Sequence, residues 1–162
     1  MATAEDLKTA FVAAGETMAG AISEASGIWD EQVLPPEATE VRPDATGDAW
    51  TPRQTVEHTV GALGFYGGLV AAATKQQVEA PEPGPLPSAE EAVAALAAAV
   101  EATTATLSTI EDGDLERPAE LSDVAVSYLK SLGIETDASV EGVLLMLAAH
   151  LEDHAAQIRR AL

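Results

Sequence analysis

Apolar residues recur at steps of three and four in four separate stretches of the chain, a helical period that commits it to packed helices. In the first stretch Leu7, Phe11, Ala14, Met18, Ile22 and Ala25 form one stripe, and Gly27 is its stop. Residues 28–50 read as a loop, because Pro35, Pro36 and Pro43 prevent regular structure. Thr51 then opens a second helix. Pro52 suits the first helical position, and Gln54 completes a Thr-x-x-Gln capping box. This helix runs to about Gln76, with Val56, Val60, Leu63, Gly67 and Val70 on one side. Ala62, Phe65 and Leu69 lie on nearly the opposite side, with His58 among them. A helix apolar on two sides reads as buried between neighbours, with Leu63 and Phe65 both in the core.

Residues 78–88 form a stiff linker marked by Pro81, Pro83, Pro85 and Pro87. It is a crossover within one domain, since neither half alone buries its stripes. Ser88 with Glu91 reads as a second capping box, opening a helix to about Ile110 whose inner face is Val93, Leu96, Val100, Thr104 and Leu107. Asp112-Gly113-Asp114 marks a turn, Pro118 a break, and residues 121–132 a short helix ended by Gly133. The last long helix covers residues 139–160, with a stripe of Val143, Met146, Leu147, His150, His154, Gln157 and Ile158. Arg159 and Arg160 sit in its last turn, where positive charge suits the helix dipole. Gly61, Gly64, Gly67 and Gly68 follow no strand and read as close helix packing. Together these stretches predict a single all-α domain over residues 1–162: a four-helix up-down bundle with long crossover loops.

Composition narrows the function. Eight Lys and Arg face 27 Asp and Glu, a formal net charge of −19. Such a chain has no basic face for nucleic acid and no polybasic membrane anchor. Its first residues lack a signal-peptide pattern, and its most apolar run, residues 61–73, is too short to span a bilayer, so a soluble cytoplasmic protein is expected. The partners left are a small-molecule substrate and a second copy of the chain in a homodimer. Cys is absent, which excludes disulfides, thiolate metal sites and a cysteine nucleophile.

The three histidines carry the chemistry. His150 and His154 stand at i, i+4 within the apolar stripe of the last helix, so both imidazoles lie on one buried face. His58 lies on an inner stripe of the second helix and can supply a third nitrogen from across the bundle. Three neutral nitrogens leave a divalent metal with its charge intact and a coordination position open, a catalytic arrangement. Ordinary hydrogen-bonded core histidines are the alternative, but these stripes otherwise offer mainly Ala, Val, Leu and Phe. Sequence neighbours on a helix point about 100° apart, so Glu57 and Asp153 read as solvated acids, with a supporting role beside the site as the alternative. Trp50 is either a hydrophobic staple or a pocket wall.

The segment Trp50-Thr51-Pro52-Arg53-Gln54-Thr55-Val56-Glu57-His58 resembles the entry into the second helix of DinB-like proteins. His150-Leu151-Glu152-Asp153-His154-Ala155-Ala156-Gln157-Ile158 resembles their fourth-helix His-x-x-x-His followed by Gln-Ile. That group includes bacillithiol transferases and the amino-terminal domain of mycothiol-dependent maleylpyruvate isomerases. The resemblance implies a four-helix bundle holding a divalent metal, often zinc or nickel, at positions that map to His58, His150 and His154. It also implies a low-molecular-weight thiol cosubstrate. A metal-bound thiol has a lowered pKa, and in a chain without Cys the nucleophile comes from outside. Arg53 is the residue placed to help an anionic thiol past the acidic surface. Two other classes remain open: a hydrolase using metal-bound water, and a non-catalytic, metal-stabilised helical binding or stress protein.

Overall fold

The computed structural model describes residues 2–34, 48–77 and 84–162. Pro35, Pro36 and Pro43 of the expected loop, and Pro81 and Pro83 of the linker, lie outside them. Among the described residues there are five α-helices and no strand longer than an isolated bridge. They are α1 (Ala4–Glu24), α2 (Pro52–Ala73), α3 (Ala89–Leu107), α4 (Asp123–Ser131) and α5 (Val140–Arg160). None of the described helices is long and apolar enough to cross a membrane.

Local signals in the sequence set most helix ends. Thr3 and Asp6 form a capping box at α1, and the Thr3 backbone N–H holds the Asp6 carboxyl below its ordinary pKa. Thr51 and Gln54 form the expected box at α2, with Pro52 inside the first turn. At α3 the box is incomplete: Ser88 Oγ accepts from the Glu91 N–H, while the Glu91 carboxylate turns to the Ser88 hydroxyl and not to its backbone. Gly133, at φ 80°, closes α4 as expected. The stop of α2 carries no glycine signal. The chain leaves the helix at Ala73 because Lys75 adopts φ 58° and the Gln76 N–H turns back to the Ala71 carbonyl.

The hydrogen bonds at the ends define the topology. Glu24 at the end of α1 meets Arg159 at the end of α5, so these two helices run the same way. Trp29 donates through Nε1 to the Leu86 carbonyl and accepts from the Arg53 N–H, placing the starts of α2 and α3 beside the end of α1. At the other end Gln76 reaches Thr109. Helices α2 and α3 are therefore parallel to each other and antiparallel to α1 and α5. The end of α2 and the start of α3 thus lie at opposite ends of the bundle. The Arg159 pair holds the Glu24 carboxyl below its ordinary pKa. A carboxyl depressed in the folded state stabilises it above its unfolded pKa, and that contribution fades as pH falls through the folded pKa. The pair is exposed and the effect small.

Phe11, Met18, Ile22, Leu63, Leu96, Leu144, Leu147 and Leu151 fill the interior. The expected stripes of α1 and α5 are buried, apart from a half-buried Gln157. Two faces differ from expectation. On α3 the buried positions are Ala92, Leu96, Ala99, Thr103, Thr106 and Leu107, whereas Val93, Val100 and Thr104 are half-buried. Its small residues let α3 lie close to α2, where Gly67 faces Thr103, while Val100 packs over Gly15 of α1. On α2, Phe65 is not in the core but 63% exposed. The second apolar side of α2 faces an opening that the nine-residue α4 only partly covers. Of the four α2 glycines Gly67 serves close packing; Gly68 is exposed beside open space, and Gly61 lines the opening.

Truncating Leu147 to Ala should destabilise the protein by roughly 2–5 kcal/mol, whereas Phe65→Ala should stay within about 0.5 kcal/mol. Denaturant unfolding of both variants checks the register of α5 and the outward turn of Phe65 together.

Candidate metal centre

His58 owes its place to the start of α2. An isolated antiparallel bridge joins Leu34 and Trp50 through two backbone hydrogen bonds of 2.9 and 3.0 Å, and the Thr51 box then sets the helix register. Buried hydroxyls on the first turns are satisfied within the helix, with Thr55 donating to the Thr51 carbonyl and Thr59 to the Thr55 carbonyl. One side of the second turn is thus core and the other, bearing His58, faces α5. The Trp50 ring stands edge-on to His58 with centroids 5.6 Å apart, so it borders the histidine cluster, though it does not line the cavity beside it.

The antiparallel pairing of α2 and α5 brings His58 opposite His150 and His154. The latter two are buried, with relative exposures of 7% and 1%. Nε2 of His150 lies 3.2 Å from Nε2 of His58 and 3.0 Å from Nε2 of His154. Nitrogens bound to one tetrahedral zinc at 2.0–2.1 Å stand about 3.3 Å apart, so the three imidazoles already converge as a ligand set. Their donor chemistry agrees. A neutral ring nitrogen carries either one hydrogen or one lone pair, so the His150 Nε2 cannot donate to one neighbour while accepting from the other. A cation that takes one lone pair from each ring satisfies all three nitrogens at once.

A second ring of residues orients one of these imidazoles. Asp153, as a carboxylate, only accepts: the Tyr128 hydroxyl donates to its Oδ2 at 2.8 Å and the Gln157 amide at 3.3 Å. With its NH2 group committed to Asp153, Gln157 presents Oε1 to His154 Nδ1 at 3.0 Å. Nδ1 must then carry the proton, and the lone pair of Nε2 points into the cluster. Asp153 is therefore not a solvated acid but part of the support. Glu57 too is engaged, accepting from the Leu86 N–H at 3.3 Å. Arg53 pairs with Asp30 at 2.7 Å and does not line the site. Sequence reasoning missed Tyr128, on the weakly patterned α4. The i, i+4 spacing of Asp153 and Gln157, in register beside the histidine pair, was the available signal for the rest.

A cavity of about 550 Å³ opens over His58 and His150. Gly61, Ala62 and Phe65 of α2, Val124 and Tyr128 of α4, and Met146 of α5 form much of its wall. The arrangement is a set of three convergent nitrogens, two of them on rings that line a solvent-connected chamber, compatible with a metal site.

A sequence profile of the DinB superfamily matches residues 27–158, and the chain belongs to that superfamily. No curated protein and no solved structure shows a significant match.

The hydrogen-bond chain predicts that His154 in metal-free protein is the Nδ1–H tautomer. Long-range proton–nitrogen correlation spectra should show this, and Gln157→Leu should abolish the preference; an Nε2–H tautomer in the unaltered protein would contradict the assignment.

Proposed function

We propose that this DinB-like protein is a metal-dependent enzyme that uses a low-molecular-weight thiol to transfer sulfur to, or isomerise, a small electrophile. The reading rests on one observation above all: three imidazole Nε2 atoms meet at one point, and two of the rings, His58 and His150, line an accessible cavity. His58, His150 and His154 would hold a divalent ion, zinc or nickel. Bound there, the ion would supply Lewis acidity that lowers the pKa of a thiol or water in its open position.

The remaining roles fall to the chain's own side chains. Gln157 and Asp153 keep the His154 lone pair directed inward, and Tyr128 fixes the Asp153 carboxylate. Trp50, Tyr66 and Tyr128 stand with their rings against the histidines and keep bulk water from their edges. Because the chain contains no Cys, the sulfur nucleophile enters with the cosubstrate. Turnover of an electrophile only when a thiol is supplied supports this reading. Turnover without thiol would instead make the protein a hydrolase working through bound water.

Protein purified without a histidine tag should carry about one equivalent of divalent metal, since three neutral nitrogens make a single site. The His150→Ala, His154→Ala double variant should lose it; stoichiometric metal in that variant would sink the assignment. A chelator near neutral pH should lower the melting temperature, and added zinc or nickel should restore it, because an ion that binds the folded state stabilises it by mass action.

Asp153→Asn tests the support. It should weaken metal affinity by about 10–100-fold while leaving the helix content intact. Unchanged affinity, measured by competition with a chromogenic chelator, would remove Asp153 and Gln157 from the centre.

A further inference from the structure

The cavity over the histidines is walled by rings and by carboxylates. Phe65 stands at the mouth, edge-on to Tyr66 with centroids 5.3 Å apart. Val124 across the opening is 52% exposed, so the rim is apolar on both the α2 and the α4 side. Large apolar side chains left in water at the rim of a chamber are the mark of a surface that a ligand covers. Besides the histidines and tyrosines, the titratable side chains on the wall are Glu57 and Asp153. No Lys or Arg lines it among the described residues, and the nearby Arg53 is taken up by Asp30.

We propose that this cavity takes ligands with an apolar or aromatic body and a neutral or cationic outer end, and discriminates against anionic ones. The proposal rests on reading the cavity as the substrate site. An ion held by the histidines would sit at the inner end of the cavity, so the charge argument concerns the outer end of a ligand. An anionic group there would give up hydration and meet the Glu57 and Asp153 carboxylates, with no Lys or Arg on the wall among the described residues to replace the lost water. The acidity of the whole chain, −19 in formal charge, adds to that repulsion. An ammonium group meets the same carboxylates as partners and the faces of the rim rings as a second attraction. A thiol cosubstrate for this protein is accordingly one that carries no carboxylate.

Three probes that share a phenylethyl body and do not coordinate metals test this on the protein as purified. They are trimethyl(2-phenylethyl)ammonium, 2-phenylethanol and 2-phenylethanesulfonate, with binding followed by titration of NMR shifts. The ammonium should bind at least about tenfold more tightly than the sulfonate, equal to about 1.4 kcal/mol, with the alcohol between them. Glu57→Gln keeps an acceptor for the Leu86 N–H and removes the charge. It should narrow the gap between ammonium and sulfonate and leave the alcohol's affinity unchanged, which also shows that the cavity is intact. Sulfonate binding as tight as ammonium, an undiminished gap in the Glu57→Gln variant, or no binding by any probe would overturn the proposal. Metal content, measured on the same samples, separates the two readings. Metal present with the charge order reversed defeats the ligand class alone. Metal absent with the order intact defeats the enzyme reading alone.

Discussion

Three imidazoles, two of them buried, sit between helices whose interior is mainly apolar, and the rest of the site depends on how their nitrogens are satisfied. Burying a polar ring without a partner costs several times what one ordinary hydrogen bond returns. The fold meets this on one ring through Gln157 and Asp153, and on the inner side gathers the three Nε2 atoms where one cation could take a lone pair from each. Side chains arranged in this way are poor core residues and good ligands. The same burial of His150 and His154 that taxes the core holds them in position for an incoming ion.

That convergence follows from the direction of the helices. Because α2 and α5 are antiparallel, the second turn of α2 lies beside the later turns of α5. Because α2 and α3 are parallel, α3 starts at the same end, and Leu86 just before it touches both Trp29 and Glu57. The short α4 lies along α5 and brings Tyr128 to Asp153. Its length leaves the fourth side of the chamber open.

Much of this was legible in the residues. The α1 and α5 stripes, the Thr51 box and the glycine stop of α4 are local or strongly periodic signals, and each occurs where the spacing placed it. The histidine cluster was legible because i, i+4 spacing fixes two imidazoles on one face, and one histidine remained to face them from the second helix. What the spacing could not show was depth. Phe65 lies on an apolar stripe, yet whether a stripe is covered depends on the length of a neighbouring helix, which is a tertiary fact. The rotated face of α3 has the same origin. In a helix so rich in Ala, either side can be the inner one, and the close approach at Gly67 decided which. The end of α2 was missed because a lysine, not a glycine, takes the left-handed turn at its stop.

X-ray absorption at the metal edge of tag-free protein tests the central claim most directly. The account predicts a first shell containing three imidazole nitrogens, at about 2.0–2.1 Å for zinc, with the outer-shell scattering of histidine rings lost stepwise as His58, His150 and His154 are replaced. A shell of oxygens alone, or one unaffected by replacing His58, would contradict it.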